Sequence, residues 1–213
     1  MRYYPAMLDI NDRKCVVVGG GTVAERKVNS LLECSANVTV ISPEICSGIQ
    51  ELHNQGHIRA IERAYCSGDL NGAVLIIAAT DNPEINHQVY NDGQAQGMLV
   101  NTVDDITNSN FIVPSSFRRG DLLIAISTGG SSPALARKIR TALEKDYGEE
   151  YESLVALVGE VRADLVVRGI KVSPECWQDA LAMKSLQGLI RRGRYEEAKR
   201  NLLAKLEASS PEE

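Results

Sequence analysis

Three stretches of this chain carry residues whose types and spacing could do chemistry. The first is Gly19-Gly20-Gly21-Thr22-Val23-Ala24, which fits G-x-G-x-x-A and directly follows the apolar run Cys15-Val16-Val17-Val18. At a strand-to-helix turn this spacing binds a dinucleotide: Gly19 permits the tight turn, Gly21 the approach of backbone to a pyrophosphate, and Ala24 the packing of helix on sheet. The free N–H groups of the helix start then face the diphosphate. The expected cofactor residues are Gly19, Gly20, Gly21, Thr22 and Val23, with Ser42, Pro43 and Glu44 at the end of a second strand and Thr80 at the end of a fourth. Ser42 can bond a ribose hydroxyl, and no arginine stands beside it to receive a ribose phosphate, so the expected cofactor is NAD rather than NADP.

The second stretch is Asn101-Thr102-Val103-Asp104-Asp105. Asp104 would stand just past a buried strand, on the edge where open α/β sheets bind ligands, and could accept a proton during an oxidation or ligate a metal. The other reading of an aspartate there is loop capping. Asn101 is a candidate substrate contact. The third stretch is Ser127-Thr128-Gly129-Gly130-Ser131-Ser132-Pro133, followed by Ala136-Arg137-Lys138-Ile139-Arg140. Thr128, Gly129, Gly130, Ser131 and Ser132 offer amide and hydroxyl donors, and Arg137 and Arg140 offer charge. Between Phe117 and Ala142 five cations (Arg118, Arg119, Arg137, Lys138, Arg140) less one acid, Asp121, leave a local +4 in a chain of net charge −5. That contrast points to a polyanionic substrate; the alternative is a capped helix with a solvated basic face. No metal ligand is assigned, because His53, His57 and His87 have no ligand spacing and the five cysteines include no C-x-x-C pair.

The elements that must position these residues alternate in kind. Strands are expected at Lys14 to Val18, Val38 to Ser42, Ile58 to Ile61, Ala73 to Ala78 and Met98 to Val103, with helices around Val23 to Glu33, Cys46 to Gln55 and Pro83 to Gln96. Such βαβ alternation predicts a Rossmann-like, doubly wound parallel sheet of the α/β class. Beyond Asp104 two further strands are expected at Phe111 to Pro114 and Leu122 to Ser127, joined through Phe117-Arg118-Arg119-Gly120-Asp121, and then a helical tail. Asn82-Pro83, Ser132-Pro133 and Ser173-Pro174 each read as a capping side chain followed by a proline at the first helical position. The acidic end Ser209-Ser210-Pro211-Glu212-Glu213 reads as frayed.

With 44% hydrophobic and 24% charged residues, the chain of 213 residues has the composition of a folded globular protein. Its negative charge repels nucleic acid and anionic lipid. The longest apolar runs, such as Ala73 to Ala79, fall far short of the roughly 20 residues that span a bilayer, so no membrane is expected as partner. The N-terminus lacks an apolar secretory leader and the odd cysteine count suits a reducing compartment, so the expected location is cytoplasmic.

Taken together, Leu8-Asp9-Ile10, the run Val17 to Lys27, Val38 to Pro43, Ala78 to Asp81, Asn101 to Asp104 and Ser127 to Arg137 resemble the precorrin-2 dehydrogenase and sirohydrochlorin ferrochelatase family, the N-terminal part of sirohaem synthases. The resemblance is dense over residues 1 to about 145 and loose beyond. It implies NAD-dependent oxidation of precorrin-2 to sirohydrochlorin in tetrapyrrole synthesis, with ferrous iron as a further substrate if the chain also inserts metal. It implies a homodimer, and it places the family's essential aspartate on Asp104. The implied domains are a dinucleotide-binding Rossmann domain at 1–112, a small α+β dimerisation segment at 113–146 and a helical C-terminal domain at 147–213. Thr128 stands where many relatives have a serine, and it keeps the hydroxyl. The methyltransferase domain of the fused synthases has no counterpart in the sequence, so precorrin-2 is expected to come from another protein. Two other functions fit the residues without the resemblance: an NAD-binding redox sensor module, and a dehydrogenase of another carboxylate substrate.

Overall fold

A computed structural model describes residues 2–208 as two units, Met1–Val113 and Pro114–Glu213, with the acidic end Ser209–Glu213 outside the described residues. In the first unit β1 (Lys14–Val18), β2 (Asn37–Ile41), β3 (Arg59–Ile61), β4 (Leu75–Ala78) and β5 (Leu99–Thr102) form one sheet in the order 3-2-1-4-5. Every pairing in it is parallel. The central strands are apolar on both faces: Val16 and Val18 join one buried cluster with Ile76 and Val100, and Cys15 and Val17 join another with Ala24 and Val28. Two-sided burial is what crossover helices impose on a parallel sheet. Those helices are α1 (Thr22–Leu32), α2 (Ser47–Asn54) and α3 (Pro83–Ala95). The chain order reverses between β1 and β4, which opens a crevice at the carboxyl ends of the strands.

The second unit begins with an antiparallel hairpin, β6 (Ser115–Arg119) and β7 (Leu122–Ile126), followed by α4 (Pro133–Asp146). Here the expected strand at Phe111 to Pro114 is corrected. Phe111 and Val113 belong to the first unit, where Phe111 packs on the α1 side of the sheet. The residues taken for a connection, Phe117 to Arg119, are strand instead. Arg119 pairs with Leu122, so only Gly120 and Asp121 form the turn, and Gly120 takes φ +55°, as a two-residue hairpin turn requires. Four further helices, α5 (Glu150–Val167), α6 (Pro174–Ala180), α7 (Met183–Ile190) and α8 (Tyr195–Ala208), bury Leu157, Val161, Leu202 and Leu206 in a core of their own. The predicted caps form: Asn82 accepts from the N–H groups of Glu84 and Ile85, Ser132 from Leu135 and Ser173 from Cys176.

Candidate functional site

The glycine turn is built by three glycines with three different reasons. Gly19 sits at φ +127°, and a Cβ there would lie 2.2 Å from the Ala79 carbonyl oxygen. A Cβ on Gly20 would lie 1.9 Å from the Glu44 carbonyl oxygen. Both positions are closed by the protein's own backbone. Gly21 differs, because a Cβ there meets nothing within 4 Å. The fold itself does not require glycine at 21, and the pyrophosphate of a dinucleotide is the group this turn is shaped to approach. Gly21 also caps α1 without any side-chain hydrogen bond, so the first N–H groups of the helix remain available to an anion. The residues present therefore fit NAD.

The cavity above the turn has a volume of about 880 Å³ and is lined by all of Gly19 to Val23, Ser42, Pro43, Glu44 and Thr80. The structure thus brings the nine expected cofactor residues to one place. Thr80 also organises the turn into α3: its Oγ1 lies 2.8 Å from Asn86 Oδ1 and accepts from the Asn82 N–H at 3.2 Å. Sequence reasoning missed part of the wall, including Ile41, Cys46, Tyr65, Asp81 and Ile85. These lie at or beyond the ends of β2 and β4 or arrive by long-range packing, and of them Ile41 and Asp81 stood next to expected cofactor residues. No Lys or Arg side chain lines the cavity, whereas Glu44 and Asp81 do. Arg63, next to the lining residue Ala64, is held by Asp69 through two hydrogen bonds of 2.6 and 2.8 Å. The lowered pKa of Asp69 follows first from its hydrogen bond to that guanidinium.

Asp104 stands just past β5, exposed, at φ +59°. Among the described residues its carboxylate receives no hydrogen bond and makes no ion pair within 4 Å. Its neighbour Asp105 is fully engaged. Thr107 and Asn108 donate to it at 2.6 Å each through their side chains and at 2.9 and 3.1 Å through their backbone N–H groups. These bonds, the Thr107 hydroxyl foremost, hold the Asp105 carboxyl down to about 2. Asp105 ties the loop, and Asp104 is left to the solvent. Asn101 is half-buried and spends its amide on the Phe111 carbonyl at 3.1 Å.

In the second unit, Thr128 to Ser132 form the capped start of α4. Thr128 Oγ1 accepts from the Ser132 N–H at 3.0 Å, the Gly129 N–H donates to Ser127 Oγ, and the Ser131 N–H donates to the Thr128 carbonyl. Several donors expected to face a ligand are thus turned inward, while Gly130 sits at φ +88°. The basic patch is thinner than the residue count implies. Arg119 donates to the carbonyls of Tyr147, Glu144 and Arg118, and Arg140 pairs with Glu144 at 2.6 Å. Glu144 lies two residues beyond the window in which charges were counted. Arg137 remains exposed on α4. Among the described residues no group of three His, Cys, Asp or Glu side chains is placed to hold a metal ion, and no helix is long and apolar enough to cross a membrane.

A parallel 3-2-1-4-5 sheet with an uncapped helix rising from a glycine turn defines a dinucleotide-binding α/β protein. Residues 6–115, just over half of the chain, match an "NAD(P)-binding" family model, and residues 119–145 match that of the sirohaem biosynthesis protein central region. The chain belongs to the NAD(P)-binding family of the first model, and both matches agree with the resemblance to sirohaem synthases read from the sequence. It is 38% identical over 97% of its length to a sirohaem synthase of Nitrosococcus oceani and 42% identical over 76% to one of Methylobacillus flagellatus. It covers 44% and 35% of those two chains, so it spans less than half the length of these relatives. A solved structure named SirC, precorrin-2 dehydrogenase, superposes with a TM-score of 0.70 at 29% identity, over 97% of this chain and 100% of that one.

Proposed function

We propose that the chain is an NAD-dependent precorrin-2 dehydrogenase of the cytoplasm, acting in sirohaem or related tetrapyrrole synthesis. The observation that carries this reading is Gly21, whose missing side chain leaves open space at the floor of a cavity with acidic and neutral walls. The match to SirC over 97% of this chain and the whole of that one supports the substrate.

Bound NAD supplies the acceptor for a hydride leaving a carbon of the reduced macrocycle. The chain's own residues do the rest. The N–H groups at the start of α1 and the turn from Gly19 to Val23 hold the dinucleotide's phosphates, and Ser42 with Glu44 takes the adenosine ribose. Asp104, free of internal bonds, accepts the proton lost as the new double bond of the macrocycle forms. Asn101 is the residue of the first unit proposed to bind the substrate; within the second unit Thr128 to Ser132 and the exposed Arg137 are proposed as an anion-binding segment, with Arg140 held by Glu144. A ribose 2′-phosphate would enter a cavity without a cation and beside Glu44, which favours NAD over NADP.

The protein acts, in this proposal, as a homodimer through residues 113–146. The hairpin has two open edges, and α4 exposes Leu135 and Ile139, one turn apart, at 50% and 38% of their surface. The test of the proposal is anaerobic incubation of the purified protein with precorrin-2 and either dinucleotide. Sirohydrochlorin should form faster with NAD; equal rates with NADP would contradict the account of the cavity.

A further inference from the structure

Two consecutive residues of α3 hold two neighbouring strand ends. β4 and β5 pair in parallel with Ala78 opposite Thr102, so Thr80 and Asp104, each two residues further on, leave the sheet at the same level. Thr80 lines the dinucleotide cavity, and Asn86 grips it: Thr80 Oγ1 donates to Asn86 Oδ1 at 2.8 Å, and Asn86 Nδ2 donates to the Thr80 carbonyl at 2.9 Å. The next residue, His87, reaches the other strand end, its Nδ1 lying 2.9 Å from Asn108 Oδ1. Asn108 Nδ2 donates in turn to Asp105 Oδ2 at 2.6 Å, which leaves the amide oxygen for the imidazole. That oxygen only accepts, so His87 Nδ1 carries the proton.

Asp104 sits in a turn that needs such a hold. The Asp105 N–H closes the turn on the Thr102 carbonyl at 3.2 Å, and Asp104, at its third position, has φ +59°. This left-handed conformation is the ordinary place of glycine or asparagine in such a turn, and an aspartate stays there only where surrounding contacts over-determine it. Those contacts run through Asp105. Its carboxylate takes four hydrogen bonds from Thr107 and Asn108, and its carbonyl accepts from Ser109 Oγ at 2.6 Å. All five lie within the loop, whereas the bond from His87 to Asn108 crosses to α3, 21 residues away in sequence. Helix α3 thus joins the wall of the cavity, through Asn86, to the turn that carries Asp104, through His87.

We propose that His87 is a positioning residue: through Asn108 and Asp105 it fixes the Asp104 turn relative to Thr80 and the dinucleotide cavity, and so sets the carboxylate against a macrocycle lying on NAD. The inference rests on the proposed role of Asp104 as proton acceptor. His87 itself is not among the residues lining the cavity.

The test compares wild type, His87→Ala, His87→Asn, Asp104→Asn and the double variant of His87→Ala with Asp104→Asn. His87 is exposed and alanine favours a helix, so His87→Ala should keep the wild-type NAD affinity and melt close to wild type. Its turnover of precorrin-2 at saturating substrate and NAD should fall about 10-fold or more, where a misplacement of about 1 Å can cost about 10²-fold. Asparagine places an amide donor about where Nδ1 stood, so His87→Asn should regain most of the rate. In the Asp104→Asn background His87→Ala should cost nothing further, because the turn then positions no base. Amide hydrogen exchange over residues 103–109 should quicken in His87→Ala and not over 80–86. A wild-type rate in His87→Ala while Asp104→Asn is impaired would overturn the inference and leave the role of Asp104 standing. An equal loss in both backgrounds, or unchanged exchange over 103–109, would also overturn it. Wild-type turnover in Asp104→Asn would remove the role of Asp104, and the inference with it.

Discussion

Single residues divide sharply here into those the fold requires and those it leaves open. Gly19 and Gly20 are closed by the carbonyls of Ala79 and Glu44, whereas Gly21 faces empty space. Gly21→Leu should therefore leave a folded protein with a near-native melting temperature and abolish NAD binding in a calorimetric titration. The motif was legible in the sequence, but the difference between its glycines was not, because it depends on strand ends 20 to 60 residues away. The same division separates Asp104 from Asp105. Asp104→Asn should retain NAD binding and lose about 10²-fold or more in turnover, the usual scale of general acid–base assistance. Asp105 does its work on stability. Its carboxyl is held at about 2, against roughly 3.9 for an unfolded aspartate, so the charged form favours the folded state. That contribution is complete above about pH 4 and is lost as pH falls toward 2. Asp105→Asn should melt lower than wild type at pH 7, with a flatter dependence of melting temperature between pH 4 and 2. From sequence the two acids look alike; only Thr107 and Asn108, folded back onto one of them, tell them apart.

At the scale of elements, the helices announced themselves, and of the hairpin only β7 did. Asn82-Pro83 could be read as a helix start because cap and proline act locally, and Asn82→Ala should cost about 1 kcal/mol in a denaturant titration through loss of the bonds to Glu84 and Ile85. Strands β1, β2 and β4 were legible because burial on both faces demands continuous apolar runs rich in Val and Ile, whereas β3 and β5 at the sheet edges are only partly buried. β6 was missed because Ser115-Ser116-Phe117-Arg118-Arg119 buries one residue fully, Phe117, and otherwise faces outward with polar groups. Apolar content drew the expected strand to Phe111 to Pro114, where Phe111 packs on the core of the first unit and Val113 is exposed. The helical tail has a core of its own, in which Leu157 and Leu202 are fully buried. Leu157→Ala should destabilise that unit by about 2–5 kcal/mol, measured as a shift in denaturant midpoint.

For the whole molecule, the net charge of −5 was compatible with a polyanionic substrate only if cations gather locally, and the structure revises how many do. Arg140 and Arg119 are engaged by groups of their own unit, which residue counting could not show because Glu144 and the Tyr147 carbonyl come from the far end of α4. If residues 113–146 form the interface, wild type should sediment as a dimer at micromolar concentration and Ile139→Glu as a monomer; a monomeric wild type would contradict the proposed assembly. The central claim is that this chain moves a hydride from precorrin-2 to NAD with Asp104 taking the proton. It is tested most directly by an anaerobic single-turnover measurement of NADH with wild type and Asp104→Asn. The account predicts one NADH for each sirohydrochlorin formed by wild type and a rate about 10²-fold lower for the variant at unchanged NAD affinity. NADH formation at the same rate in both proteins, or none from wild type with precorrin-2, would contradict it.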